Sequence, residues 1–170
     1  DSLASLNYPA TGFSIRYEYG LFKQKIVNGW QTEMPDVWLP GGEVWLVPRS
    51  DRALKVRFGG WVEQYQENGR MKVAYHDTKD IEAMPYDLLI SGGASDGIST
   101  LRLWRARNVS KFDMKLFSQG QYFRAMQENN EAELISKVLY PSDDNSEGKT
   151  LRLKQQYFLV SASIQNIFND

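Results

Sequence analysis

The sequence predicts an α/β fold, mixed and largely antiparallel, in which a β-rich part over residues 13–107 is followed by a helical part over residues 112–170. In the first part apolar and polar residues alternate, as in half-buried strands, whereas in the second part apolar residues recur every three or four positions. Strands come first and helices last, without regular strand–helix alternation. This order favours an α+β arrangement or a piece of a larger α/β domain.

The strands are predicted to follow one another mainly as hairpins. Residues 1–6 before them are interpreted as the tail of a helix whose beginning is missing, and this helix stops near Asn7 because Pro9 follows. Asn28-Gly29 and Asn68-Gly69 each predict a two-residue turn, because both central positions of such a turn need positive φ. Gly59-Gly60 indicates a bulge, and Pro85 is expected to interrupt its strand. The predicted strands cover residues 13–19, 24–27, 30–32, 43–47, 54–65, 71–75, 81–90 and 98–107.

Helical spacing begins after residue 112. A first helix is expected around residues 122–126, a second over residues 134–139, and a loop over residues 140–148. The stretch 127–133 between the first two helices is predicted to be a bend or an exposed turn. The last helix is identified by an amphipathic stripe made of Leu153, Tyr157, Val160, Ile164 and Ile167.

Composition excludes several classes of function. The 20 Lys and Arg residues balance 21 Asp and Glu residues, so there is no electrostatic reason to bind nucleic acid or an anionic membrane. The absence of cysteine excludes disulfides and thiolate zinc sites, and a single histidine excludes a multi-histidine metal site made by this chain alone. No stretch is apolar enough to span a membrane. Because the chain opens with Asp1, we expect a fragment of a longer polypeptide.

Four short patterns resemble known sites, and each is better explained without one. Gly93-Ala94-Ser95-Asp96-Gly97 matches a nucleophile elbow, but a strand follows it and the single histidine precedes it. The spacing from Asp143 imitates a calcium loop, but Lys154 stands where the bidentate glutamate belongs. Asn108-Val109-Ser110 is a glycosylation sequon that matters only in a secreted protein. His76 is interpreted as a surface or packed histidine.

The acidic loop over residues 142–147 has two interpretations. It is either a solvated turn whose oxygens cap the next helix, or a mobile gate whose carboxylates accept hydrogen bonds from a neutral polyol. Tyr140 before the loop and Arg152 after it suit a sugar, because one offers a flat face and the other a fork of donors. An aromatic content of 13% is explained by packing or by a surface that stacks on sugar rings.

Ordered motifs along nearly the whole chain resemble the α-glucan (glycogen, starch and maltodextrin) phosphorylase family. They are Asn7-Tyr8-Pro9-Ala10-Thr11-Gly12, Ile15-Arg16-Tyr17-Glu18-Tyr19-Gly20-Leu21-Phe22, Gln24-Lys25-Ile26-Val27, Gly29-Trp30-Gln31, Ala83-Met84-Pro85-Tyr86-Asp87, Leu101-Arg102-Leu103-Trp104, Val138-Leu139-Tyr140-Pro141, Glu147-Gly148-Lys149 and Leu151-Arg152-Leu153-Lys154-Gln155-Gln156-Tyr157-Phe158.

The resemblance implies that residues 1–170 are part of the N-terminal domain of a two-domain, Rossmann-like enzyme. The C-terminal domain, absent here, would hold pyridoxal 5′-phosphate on a lysine. The intact enzyme would use inorganic phosphate to convert α-1,4-glucan into glucose 1-phosphate, as a cytoplasmic homodimer. By itself the fragment would bind no cofactor and catalyse nothing.

The resemblance also assigns residues. The family's gate loop falls on residues 141–148, and the implied glucan contacts are Asp143, Asp144, Tyr140 and Arg152. Residues 117–130 resemble a dimer-contacting helix. Asn169 and Asp170 stand where animal members hold the phosphate of AMP with two arginines, so activation by AMP through this site is not expected.

Two alternatives belong to other classes. The aromatic content suits a free-standing carbohydrate-binding module, and the long helical stretch over residues 112–140 suits a structural or dimerising domain.

Overall fold

The structure is a computed structural model that describes residues 1–39, 44–93, 95–109, 114–139 and 142–169. In these ranges the strands are β1 Thr11–Ile15, β2 Lys23–Val27, β3 Trp30–Met34, β4 Leu46–Pro48, β5 Leu54–Phe58, β6 Trp61–Glu67, β7 Arg70–His76, β8 Lys79–Ser91 and β9 Ile98–Asn108. The helices are α1 Ser2–Ser5, α2 Met114–Ser118, α3 Tyr122–Glu133 and α4 Ser146–Asn169. A mixed α/β fold with strands first and helices last is therefore confirmed.

The main sheet is built around the long β8–β9 pair. β9 pairs with β8 in antiparallel fashion and with β1 in parallel, whereas β4 and β5 both pair with β8 along different stretches of its other edge. The predicted antiparallel character is thus correct except at β1, the first strand, beside which β9 lies in parallel after a long intervening stretch of chain.

Two antiparallel hairpins, β2–β3 and β6–β7, form separate two-stranded sheets. Their turns are the predicted ones: Asn28 and Gly29 have φ values of 52° and 81°, and Asn68 and Gly69 have 53° and 75°. Asn-Gly fixes these turns locally, because both residues tolerate the left-handed conformation.

The sheet is packed on both faces. The helical face carries the larger core, in which Trp104, Ala106 and Ile81 meet Ile135 and Phe158. The opposite face carries a smaller cluster of Leu46, Met84, Tyr86 and Leu103. The alternation along β8 and β9 explains this division, because successive side chains of a strand point to opposite faces.

Two strand predictions are wrong. The predicted strand over residues 54–65 is divided, because Gly59 and Gly60 have φ values of 66° and 73° and send the chain from the main sheet into the β6–β7 hairpin. Conversely, β8 continues through Pro85. The carbonyl of Pro85 accepts a hydrogen bond from the Arg49 N–H at 2.9 Å, on the side away from β9. The nitrogen of Pro85, which has no hydrogen to donate, therefore points to the same side, between the stretches of β8 that pair with β4 and with β5. No hydrogen bond of either ladder is lost there.

The predicted helix over residues 134–139 is also wrong, since a single 3₁₀ turn at Leu134–Ser136 is followed by an isolated bridge between Val138 and Tyr19. The stretch 127–133, predicted as a bend or an exposed turn, belongs instead to α3. Gly120, with φ of 76°, separates α2 from α3. The helix resembling a dimer-contact element is therefore interrupted within residues 117–130.

The last helix, α4, runs for 24 residues. It turns Gln155, Phe158, Ala162 and Asn166 toward the sheet, on the side opposite the apolar stripe that identified it. Among the described residues, no helix is sufficiently long and apolar to cross a membrane.

Candidate functional site

The acidic loop lies where the chain enters α4, and its last residues are already helical. Ser146, Glu147 and Gly148 form the first turn of the helix, so the loop is shorter than the predicted 140–148. Tyr140 and Pro141 lie outside the described residues. The carboxylates of the loop therefore stand at the N-terminal end of a long helix, where negative charge is favoured by the helix dipole.

Asp143 and Arg152, nine positions apart, are brought into contact. Nη1 of Arg152 donates to Oδ2 of Asp143 at 2.6 Å, and both side chains are about half exposed, at 44% and 56%. The structure thus joins two of the predicted site residues in one ion pair that faces solvent. Such an exposed pair contributes little to stability, so both groups remain available to a polar ligand.

Asp144 makes a different, local contact. Its Oδ2 accepts a hydrogen bond from Oγ of Ser142 at 2.9 Å. Among the predicted residues, Asp143 and Arg152 are therefore paired directly with each other, whereas Asp144 is turned toward the start of the loop.

Asn145 caps the helix. Its Oδ1 accepts a hydrogen bond from the Gly148 N–H at 2.7 Å, which satisfies one of the unpaired donors of the first turn. The capping role predicted for the loop oxygens is confirmed at this residue. Gly148 also permits close approach of the loop, because a Cβ there would collide with the carbonyl oxygen of Ser142.

The segment before the loop is fastened by Gln155, a buried residue of α4. Nε2 of Gln155 donates to the carbonyl oxygens of Ile135 and Val138 at 3.1 and 2.9 Å. The N–H groups of Glu18 and Tyr19 donate to the carbonyls of Ser136 and Lys137. These carbonyls are used by tertiary partners, which explains why no helix continues through this segment.

Charged pairs reinforce both sides of this segment. Glu18 accepts a hydrogen bond from Lys137 at 2.8 Å and raises the pKa of that ammonium. Near the cleft behind the loop, hydrogen bonds from Lys79 and Gln127 hold the pKa of Glu131 below its usual value. The ionised forms of both groups are therefore favoured at neutral pH.

Three clefts are lined by residues of the loop, of the segment before it or of α4. A cleft of about 560 Å³ lies behind it, lined by Leu134, Ile135, Gly148, Leu151 and Lys154 among others. An apolar cleft of about 520 Å³ lies beside Val138 and Leu139. Arg152 borders a third, smaller cleft together with Ile15, Tyr17 and Leu139.

Sequence reasoning did not assign roles to Gln155 and Gly148. In the sequence, Gln155 is only a polar residue within a helix, and nothing local shows that it is buried. Gly148 is only a glycine three positions after Asn145, a possible helix cap. Neither signal is specific without tertiary contacts.

The other patterns make structural contacts. Oγ of Ser95 donates to the carbonyl of Ala4 at 2.7 Å, and β9 follows the loop, as expected. Nε2 of His76 lies 2.9 Å from Glu63, and its ring stacks on Trp61. No group of three or more metal-ligating side chains occurs in the part of the chain that the structure describes.

The described residues do not fit a pyridoxal cofactor. Every described lysine is exposed except Lys137, which is half-buried and paired with Glu18. A lysine that forms a stable imine needs burial to favour its neutral amine. None of the described lysines is therefore suited to hold that cofactor.

The sequence was compared with known protein families and with curated proteins. A family model described as carbohydrate phosphorylase matches residues 1–170, and the chain belongs to the carbohydrate phosphorylase family.

Within that family the chain is similar to glycogen phosphorylases. It is 46% identical over 168 residues to the glycogen phosphorylase of Chlamydia pneumoniae and 46% identical over 167 residues to that of Pasteurella multocida. It is 47% identical over 167 residues to the brain form of Rattus norvegicus. Each match covers 98% of this chain but only 20% of the relative. The chain therefore spans about one-fifth of the length of these relatives.

Proposed function

We propose that the full-length protein is an α-glucan phosphorylase. It transfers the terminal glucosyl residue of an α-1,4-glucan to inorganic phosphate and releases glucose 1-phosphate with retained configuration. The observation that carries the proposal is the match to glycogen phosphorylases over 98% of the chain at 46–47% identity.

In this proposal residues 1–170 are part of the N-terminal domain of a two-domain, Rossmann-like enzyme. The remaining polypeptide holds pyridoxal 5′-phosphate, which supplies a phosphate group for proton exchange with the substrate phosphate. The enzyme is a cytoplasmic homodimer whose helical segment around residues 117–130 contacts the partner. The isolated 170-residue chain binds no cofactor and releases no glucose 1-phosphate.

The loop at the start of α4 serves as a gate to the glucan. Asp143 and Asp144 accept hydrogen bonds from sugar hydroxyls, Arg152 donates them, and Tyr140 offers a ring face. The exposed Asp143–Arg152 pair supports this role. When a polyol separates the two side chains, its hydroxyl groups and the surrounding water can form the hydrogen bonds that each charged group loses.

The test uses the full-length protein with maltoheptaose and inorganic phosphate. Asp143→Asn is expected to lower kcat/KM for the glucan about tenfold, the size of one hydrogen bond to a charged group. Asp96→Asn is the matched control, because Asp96 lies in the exposed β8–β9 loop and its variant should retain full activity.

Two outcomes contradict the proposal at different levels. Failure of the full-length protein to release glucose 1-phosphate would refute the activity. Full activity of Asp143→Asn, equal to that of Asp96→Asn, would refute the role of the loop and leave the activity standing.

A further inference from the structure

The carbonyl groups of residues 135–138, just before the acidic loop, all accept hydrogen bonds from distant partners. The two inner carbonyls bind backbone N–H groups of the chain that follows β1. The two outer carbonyls, those of Ile135 and Val138, bind Nε2 of Gln155 at 3.1 and 2.9 Å. A side-chain amide has two N–H donors, so Gln155 uses its whole donor capacity on the chain that leads into the loop.

Gln155 lies on the helix that also carries the other end of the loop. α4 begins at Ser146, and the side chain of Gln155 is only 5% exposed. Arg152 stands three positions before Gln155, so the two residues are neighbours on one side of the helix, and they line the same small cleft. Arg152 in turn pairs with Asp143 at 2.6 Å. α4 therefore holds the segment before the loop through Gln155 and the loop itself through Arg152.

These contacts restrict how far the loop can move. Only residues 139–145 separate Val138 from the first residue of α4. A short segment with both ends fixed to one helix has fewer accessible conformations than one whose first end is free. Without the amide of Gln155, the carbonyls of Ile135 and Val138 lose these donors and regain partners only by moving toward water. Such a movement displaces Asp143 from its position beside Arg152.

We propose that Gln155 is a positioning residue for glucan binding. Its two donated hydrogen bonds hold the chain before the loop against α4, and this keeps Asp143 and Arg152 oriented toward the sugar. Gln155 does not contact the glucan, because its side chain is buried and its amide is bound to backbone carbonyls. The inference rests on the proposed function, in which the loop is the gate to the glucan. Since the loop holds bound substrate and transition state alike, the residue affects KM and not kcat.

The experiment measures kcat and KM of the full-length protein for maltoheptaose, at saturating inorganic phosphate. Gln155→Met keeps the length of the side chain and removes both donors. Gln165→Met is the matched control, because Gln165 also donates from α4 to a backbone carbonyl, that of Lys55 on β5 at 3.1 Å, about five turns along the helix from the loop. Circular dichroism verifies the native fold of each variant.

We expect Gln155→Met to raise KM for maltoheptaose about tenfold, the size of one or two hydrogen bonds, and to leave kcat within about twofold. Gln165→Met should match the wild type in both constants. An unchanged KM, or equal effects of the two substitutions, would overturn the positioning role in an active enzyme. Failure of the wild type to release glucose 1-phosphate would instead refute the proposed function.

Gln155→Glu keeps the test decisive where Gln155→Met does not fold. Its protonated carboxyl can donate one hydrogen bond to a carbonyl, whereas its carboxylate can donate none, and burial brings the titration of such a group toward neutral pH. The ratio of its KM to that of the wild type should therefore be smaller at about pH 6 than at about pH 8. Tyr17 and Arg152, which line the same cleft, are present in both proteins, so the ratio reports on position 155. An equal ratio at both pH values would contradict the role of the donated hydrogen bonds.

Discussion

At the scale of single residues, the most consequential contact is a buried ion pair between neighbouring strands. Nε and Nη2 of Arg102 donate to the two carboxylate oxygens of Asp87 at 2.7 and 2.8 Å, and Asn166 of α4 accepts a further hydrogen bond from the same guanidinium. Both charged side chains are more than nine-tenths buried. The three residues tie the sheet to the helix, and loss of one partner leaves a charge in a dry environment.

Arg102→Met is expected to destabilise the protein by about 3–5 kcal/mol, because Asp87 then loses its bidentate partner in the core. Arg107→Met is the matched control. Arg107 faces Glu82 across the same two strands at 2.6 Å, but these side chains are 41% and 28% exposed, and the loss should be about 1 kcal/mol or less. Urea unfolding of the full-length protein measures both. Equal losses would contradict the assigned role of burial.

A second prediction concerns pH. Burial opposes the ionisation of Asp80, but hydrogen bonds from Lys55 and Thr78 outweigh it and lower the pKa of this carboxyl. Because the folded pKa lies below the unfolded one, the charged form stabilises the fold above the ordinary value of about 3.9, and this contribution is lost as the pH falls through the folded pKa.

Asp80→Asn should therefore cost about 0.5 kcal/mol at neutral pH, and the difference from the wild type should shrink in acid. Unfolding free energies at a series of pH values provide the measurement, and the same substitution in a Lys55→Met background is the control. A difference that grows as the pH falls would show that the sign is wrong.

At the scale of elements, the start of α4 couples helix formation to the shape of the loop. Asn145 satisfies a donor of the first turn, and Gly148 allows the carbonyl of Ser142 to approach the helix. The loop is thus held from both ends by contacts that involve the backbone, and changes in either residue should affect the loop and the helix together.

Asn145→Ala should cost about 1 kcal/mol by removing the cap, whereas Asn145→Asp keeps the acceptor and should be close to neutral. Gly148→Ala should also destabilise the protein, even though alanine is ordinarily the better helix former by about 1 kcal/mol, because its methyl group displaces the loop. Thermal unfolding of the three full-length variants distinguishes these effects. A Gly148→Ala variant more stable than the wild type would refute the close approach.

Elements fixed by neighbouring residues were predicted well, and those fixed by distant ones were not. The Asn28-Gly29 and Asn68-Gly69 turns follow from the backbone preferences of two residues. The segment 134–139 has helical spacing, but its carbonyls bind Gln155 and the N–H groups of Glu18 and Tyr19. No pattern within the segment could reveal partners outside it, because Gln155 lies 17 and 20 positions away along the chain and Glu18 and Tyr19 lie in a distant part of it.

At the scale of the whole molecule, the C-terminal end of α4 borders a cleft of about 230 Å³ together with Asp51 and Arg52. A hydrogen bond from Arg49 lowers the pKa of Asp51 and keeps it ionised. Asn169 lines this cleft, and Asp170 lies outside the described residues. A phosphate group approaching here meets one cation and at least one carboxylate, so we expect no strong attraction.

The full-length protein is therefore expected to show no activation by AMP through this site. Replacement of Asn169 and Asp170 by arginine together should create measurable affinity for AMP, because two guanidinium groups can hold a phosphate by paired hydrogen bonds. Equilibrium dialysis with AMP and an assay of glucose 1-phosphate release test both statements. Strong activation of the unsubstituted protein by AMP would contradict the first.

The sequence by itself determined the family, the order of strands before helices, the two Asn-Gly hairpins and the positions of Asp143 and Arg152 around the start of the last helix. These features depend on local backbone preferences, on periodicity and on strings of residues. Only the tertiary structure decided that Asp143 pairs with Arg152, that Gln155 fastens the chain before the loop, and that the sheet lies against the uncharged inner face of α4 and leaves the apolar stripe outside. The physical reason is that periodicity identifies the apolar side of a helix, whereas the partner on each side is set by residues far away along the chain.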